Sequence, residues 1–266
     1  MVRFFKRFLN KSYKNNQLIV VAHRGAAGYA PENTMAAFYK AKELKADFIE
    51  LDIQITKDGE IVVIHDQKVE RTTNGVGEVK EFTYRDLIKL DAGEWFDTKF
   101  KGERIPTLKQ VISEFYGQMG ILIEIKNPAL YPGIEQKVAT LLNEIVGEEN
   151  LSESQIIVQS FDFELLQRLN QISSNLPLGL LVKYRVQGIS TAQLKDWTSI
   201  VQYINPNKAL ITKKLVKKIH SYKVKVIPYT VRDKKSINGL VNAEVDGIVT
   251  DYPDYIVDFM IKRKSS

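Results

Sequence analysis

From residue 18 onward, eight short runs rich in β-branched residues alternate with amphipathic stretches, and this alternation restricts the chain to an α/β design. The strand-like runs are 18–22, 46–56, 121–126, 155–160, 178–182, 200–204, 224–231 and 246–250. Helical patterns occupy 33–44, 107–116, 133–146, 162–172, 191–198, 212–222 and 234–242, with Thr34, Thr107 and Asp162 placed as helix caps. Strands that are apolar on both faces belong to parallel sheets covered by helices. Eight of them in 266 residues predict a (β/α)8 TIM-type barrel in preference to an open sheet, since one such barrel takes about 250 residues.

Two places depart from the alternation. Lys57-Asp58-Gly59-Glu60 follows the second strand, and Asp-Gly is a strong two-residue hairpin signal, so 61–65 is predicted to return antiparallel as a β-hairpin extension at the barrel rim. With Asp58 and Gly59 as the turn, Asp52 falls opposite His65, and Glu50 shares their face; a bulge would shift this pairing by one residue. Residues 67–104 are too long for an ordinary connection and are read as a small insertion or lid. The predicted organisation is thus a basic amphipathic tail at 1–17, a barrel at 18–258 that includes the 67–104 insertion, and a basic C-terminal tail at 259–266.

Charge is concentrated at one end. The net charge is +6, from 38 basic and 32 acidic residues; Arg3, Lys6, Arg7, Lys11 and Lys14 account for five of the basic ones, and the body that remains is close to neutral. A general nucleic-acid-binding surface is therefore not expected. On a helical projection Val2, Phe4, Phe5, Phe8, Leu9 and Tyr13 face away from those five cations, which fits an interfacial helix on an anionic membrane, a helix packed over one end of the core, or a frayed terminus. No run approaches the roughly 20 apolar residues of a membrane span. The expected location is cytoplasmic, and residues 1–14 are the candidate segment for any peripheral membrane contact. The chain has no cysteine, which excludes disulfides, thiolate metal sites and a cysteine nucleophile.

The chemistry gathers at the ends of strands. His23 and His65, two of the three histidines, close apolar runs, and two histidines so placed suggest an acid–base pair. Glu50 and Asp52 share one face of the second strand, and Glu124 adds a third carboxylate to an otherwise apolar strand. A hard oxygen-seeking cation such as Mg2+ or Ca2+ would relieve their repulsion; salt bridges at strand ends would account equally well for Glu50 and Asp52 alone, but not for the full set with Glu124, Lys126 and two strand-end histidines. Arg24 offers a planar fork suited to phosphate, and Lys126 lies two residues beyond Glu124 on the same face. Gly25 and Gly28 allow close backbone approach, to a ligand or in a helix-entry turn. His220 reads as a solvated helix residue. There is no Gly-x-Ser-x-Gly elbow, Walker-type loop or His-Glu-x-x-His helix.

In this order, His23-Arg24-Gly25, Pro31-Glu32-Asn33-Thr34, Glu50-Leu51-Asp52, His65-Asp66, Thr73-Asn74-Gly75, Ile105-Pro106-Thr107-Leu108, Glu124-Ile125-Lys126, Gln159-Ser160-Phe161 and the stretch 246–253 closely resemble the glycerophosphodiester phosphodiesterase family. The resemblance implies a phosphodiesterase barrel, with His23 and His65 as general acid and base. It also implies Glu50, Asp52 and Glu124 as ligands of a divalent metal ion, and Arg24 and Lys126 as phosphate-binding groups. The expected reaction is hydrolysis of a small glycerophosphodiester to glycerol 3-phosphate and an alcohol, the substrate's own glycerol hydroxyl attacking phosphorus to form a cyclic phosphate that water opens. Tyr229 stands where relatives usually carry Trp, which would alter the wall of the alcohol pocket. Rival expectations are a lysophospholipase D or phospholipase C-like activity on lipid headgroups, and a non-catalytic binding protein on the same barrel.

Overall fold

The computed structural model describes residues 18–147, 150 and 155–264. The amphipathic tail predicted for residues 1–14 lies outside them. The described residues form nine strands: β1 (Ile19–Ala22), β2 (Phe48–Ile55), β3 (Ile61–Val63), β4 (Gly120–Ile125), β5 (Ile156–Ser160), β6 (Leu178–Val182), β7 (Tyr203–Pro206), β8 (Lys225–Val226) and β9 (Gly247–Thr250). Eight of these run parallel in the order β8-β7-β6-β5-β4-β2-β1-β9, while β3 pairs only with β2. Asp246 N donates to Val226 O at 2.9 Å and Val249 N to Pro228 O at 3.0 Å, joining the two ends of the sheet. The result is the predicted barrel.

Helices α1 (Met35–Glu43), α3 (Leu108–Phe115), α4 (Ile134–Val146), α5 (Phe163–Ile172), α6 (Thr191–Trp197), α7 (Lys213–His220) and α8 (Lys235–Asn242) fall where the periodicity places them; the short α2 (Tyr84–Leu87) lies in the insertion. Thr34, Thr107 and Asp162 cap α1, α3 and α5 as expected, each side chain accepting an orphan backbone N–H. A last helix, α9 (Pro253–Lys264), was not anticipated. It takes up residues 259–264, which the sequence places in a tail, and it opens with proline at its first position, where no N–H is required.

Three boundaries also differ. Strand β7 starts at Tyr203, because Ile200 and Val201 still donate to Trp197 O at the end of α6. Regular pairing in β8 stops before Ile227, where Pro228 has no N–H for the ladder. The hairpin register is shifted by one residue: Ile53 pairs with Val63 and Ile55 with Ile61. The turn therefore contains three residues, closed by Gly59 N donating to Thr56 O at 3.0 Å, with Gly59 at φ +89° in the region that glycine supplies. Asp52 then lies opposite Ile64, whose N–H donates to Asp52 O at 2.9 Å, and His65 has already left the strand.

The barrel separates two cores. Outward residues such as Val20, Ile49, Ile123 and Val158 pack under the helices. Inward residues Ile19, Val21, Phe48, Leu122, Ile157, Tyr203, Ile227 and Val249 fill the lower interior. Because side chains alternate with period two, the same inward rows continue upward as His23, Glu50 and Asp52, Glu124 and Lys126, Gln159 and Phe161, and Asn205. Each row turns from apolar to polar at the C-terminal end of its strand, the end that carries the sites of such barrels. Insertion residues Val69, Val79, Leu87 and Ala92 form a separate small core with Val62 and Ile64 of the hairpin.

Candidate active site

Strand register sets the acidic centre. Asp52 and Glu124 are direct partners across β2 and β4, and Glu50 lies one inward position below Asp52. One carboxylate oxygen from each falls within 4.8 Å of the others. All three residues are buried, with 1%, 1% and 7% exposure for Glu50, Asp52 and Glu124, so the charges are held close in a poor dielectric. Burial first, then repulsion from Asp52 and Glu124, raises Glu50 well above the ordinary carboxylate range; burial and Asp52 push Glu124 up to about 7. Asp52 also pays for burial, but Arg24, His65, Lys126 and the Asn33 amide outweigh that and hold it low. This donor set fits a hard divalent cation: three oxygens, close together, two of them reluctant to ionise without a positive partner.

Cations line the other side. Lys126 Nζ is 2.7 Å from Glu124 Oε1, 3.8 Å from Asp52 Oδ1 and 3.2 Å from His65 Nε2. Arg24 donates its backbone N–H to Glu50 Oε2 at 2.8 Å and Nη1 to Glu32 Oε1 at 2.7 Å. Its Nε lies 3.3 Å from Asp52 Oδ2 but is buried without a hydrogen-bond acceptor among the described residues, a donor suited to a phosphate oxygen.

Each imidazole is backed by a carboxylate. His23 Nδ1 is 2.6 Å from Asp251 Oδ1, and Arg232 in turn holds Asp251. His65 Nδ1 is 2.5 Å from Asp66 Oδ1, a carboxylate lowered to about 2 mainly by Arg71, with His65 contributing. Both rings therefore keep Nε2 for chemistry, with Nδ1 as the oriented N–H. Desolvation, with Arg24 and Lys126 nearby, lowers the His65 pKa despite the attraction of Asp52. Neutral His65 can then accept a hydrogen bond from the Lys126 ammonium at Nε2. The turn carrying His65 is pinned from below: Gln54 Nε2 faces the carbonyls of Ile64, His65 and Asp66 at 3.1, 3.0 and 2.5 Å, and Tyr131 donates to its Oε1 at 2.8 Å.

His23, Arg24, Glu50, Asp52, His65, Glu124 and Lys126 are thus brought to one mouth. Asp52 and His65 meet there through this turn, not through the cross-strand pairing expected from the sequence. Tyr229 lies on the far wall, its hydroxyl donating to Val182 O at 3.2 Å and its ring 5.9 Å from Phe161. The two glycines face neighbouring chain. A Cβ on Gly25, at φ +79°, would stand 2.6 Å from the Ala37 carbonyl carbon, and one on Gly28 would meet the Tyr252 ring at 2.2 Å. Gly28→Ala is expected to cost about 1–3 kcal/mol in urea unfolding through overpacking; an unchanged midpoint would contradict this contact. His220 pairs with Asp246 at 2.8 Å on the barrel's outside.

Sequence reasoning assigned no supporting role to Asp251, Asp66, Glu32 and Asn33, although its motifs include them, and passed over Gln54 and Arg71. Asp66, Glu32 and Asn33 stand beside recognised residues, and that adjacency was an available signal. Arg71 offered none. It lies in the insertion, yet it binds Glu32 through Nη1 and Nη2, both at 2.8 Å, and Asp66 through Nε at 2.5 Å, tying the partner of Arg24 to the partner of His65. Arg71→Lys loses this planar fork and is expected to lower kcat about 10- to 100-fold with the fold retained. Wild-type turnover with folded protein would remove Arg71 from the positioning of His65.

Paired imidazoles and cations around an acidic centre at a barrel mouth define a barrel enzyme equipped for acid–base chemistry on an anionic substrate. The chain belongs to the glycerophosphoryl diester phosphodiesterase family, whose sequence profile matches residues 23–255. It is 41% identical over 251 residues to the glycerophosphodiester phosphodiesterase of Caldanaerobacter subterraneus, covering 92% of this chain and 98% of that one. It is 37% identical over 250 residues to the enzyme of the same name from Bacillus subtilis, covering 90% of this chain and 85% of that one. Among solved structures, an Oleispira antarctica phosphodiesterase in complex with the product sn-glycerol-3-phosphate superposes with a TM-score of 0.80 at 27% identity, covering 91% of this chain and 96% of that one. The chain is accordingly a phosphodiesterase, and none of its described helices is long and apolar enough to cross a membrane.

Proposed function

We propose that the protein hydrolyses small glycerophosphodiesters to glycerol 3-phosphate and an alcohol, with Glu50, Asp52 and Glu124 holding a divalent cation. The observation that carries this reading is the convergence of the buried acidic trio with two carboxylate-backed imidazoles and the donors of Arg24 and Lys126. When bound, the cation would supply positive charge for the phosphate and for the oxygen that attacks it.

Arg24 and Lys126 orient the phosphate and neutralise its oxygens. His65, held neutral by its surroundings, takes the proton from the attacking glycerol hydroxyl at Nε2. Asp66 stabilises the imidazolium that forms. His23, oriented by Asp251, protonates the departing alcohol. In the second half the roles reverse, and water opens the cyclic phosphate. The product complex of the Oleispira antarctica relative supports glycerol 3-phosphate as the retained half.

Product analysis tests the bond cleaved. Glycerophosphoethanolamine is expected to yield glycerol 3-phosphate and ethanolamine; glycerol and phosphoethanolamine would reject the proposed polarity of attack.

A further inference from the structure

The acidic centre and the imidazoles occupy the β1, β2 and β4 side of the mouth, where the hairpin and the insertion close it over. Across the mouth, on the β5 and β6 side, stand Phe161 and Lys183. Phe161 continues the inward row above Gln159, and Lys183 follows directly on Val182, the last residue of β6. The Lys126 ammonium lies 5.9 Å from the Phe161 ring centroid, and that of Lys183 lies 5.1 Å from it. Tyr229 packs against the same ring in a T-shaped pair, at an interplanar angle of 83°. One aromatic ring thus links a cation of the phosphate site to a second cation farther out.

Lys183 is exposed and has no carboxylate within ion-pair distance among the described residues, and residues 183–188 include two cations and no acid. Its ammonium is placed over the ring by cation–π attraction and is otherwise uncommitted. A quaternary ammonium would need an open aromatic face or a carboxylate, and here it would meet a ring already facing ammonium groups. An anionic group would find the reverse: a second positive charge, set on the same ring as the Lys126 ammonium.

We propose that Phe161 and Lys183 form the subsite for the leaving alcohol, and that it selects glycerophosphodiesters whose alcohol carries negative charge, such as a further phosphate, over those carrying choline. This rests on the proposed hydrolytic reading and specifies its substrate class. Lys183 acts on binding, so its effect belongs in KM more than in kcat, and added salt should erode it because the ammonium is exposed.

The test is kcat/KM for glycerophosphocholine, glycerophosphoglycerol and glycerophosphoglycerol phosphate with the metal-supplemented full chain and with Lys183→Gln and Lys183→Glu. The wild type is expected to favour the anionic diester over the choline diester by about tenfold or more at low salt. Lys183→Gln should reduce that ratio about tenfold, chiefly through KM, and Lys183→Glu should reduce it further. A wild type that prefers the choline diester, or a ratio unmoved by both substitutions in folded protein, overturns the subsite. Hydrolysis of none of the three would overturn the catalytic reading itself, and the subsite with it.

Discussion

His65→Ala is expected to lower kcat by about 10²- to 10⁴-fold, the range for loss of a general acid–base group, while leaving the far-ultraviolet spectrum unchanged. His65 lies at a solvent-reachable turn and contributes little to either core, so the fold should persist. The pH profile gives a sharper check. Desolvation and the nearby Arg24 and Lys126 lower the His65 pKa, so its neutral, proton-accepting form persists to a lower pH than for a free imidazole. The acid limb of kcat/KM should accordingly lie below about 6.5, with activity falling as pH drops through it, and should disappear from the residual activity of the variant. Turnover like that of the wild type, or an acid limb unchanged in the variant, would sink the assignment. His23→Ala should show a comparable loss of kcat, because one imidazole cannot both accept and donate at the same moment.

Chelation should have an equally large effect on activity and an opposite pair of effects on stability. Treatment with EDTA is expected to abolish turnover, and Mg2+ or Ca2+ to restore it; full activity in chelator would remove the metal from the reading. In the metal-free protein, burial and the neighbouring Asp52 and Glu124 make Glu50 costly to ionise. Glu50→Gln removes that cost while its amide oxygen can still accept the Arg24 N–H now received by Glu50 Oε2. The metal-free variant should therefore melt at the same temperature as the metal-free wild type, or higher. It should also lose the stabilisation that the cation provides, about 2.7 kcal/mol for the wild type at a hundredfold excess over Kd. A variant that metal stabilises as strongly as the wild type would exclude Glu50 from the ligand set.

The sequence showed most of the barrel because buried parallel strands have to be apolar on both faces, so that runs such as Ile121–Ile125 stand out from the helices around them. It also exposed the centre, since Glu124 or Asp52 in such a run has no reason to be there except at a strand's functional end. Helix α9 went unread because Ile256-Val257-Asp258-Phe259-Met260-Ile261 is apolar on more than one face and has little helical asymmetry. The hairpin was read one residue short because Asp-Gly fits both a two-residue turn and a three-residue turn ending in glycine, and only Thr56 bonding to Glu60 and Gly59 distinguishes them.

By itself, the sequence determined the fold class, the inward rows and the residue types at their upper ends, because these follow from periodicity and from the cost of burying charge. Tertiary structure decided how the imidazoles are oriented and supported. His23 meets Asp251 from 228 positions away, and Arg71 reaches Glu32 across 39 positions from an insertion with no periodic signature. A hydrogen bond of 2.6 Å requires closure of the barrel before either partner can identify the other, and local pattern contains no record of that closure.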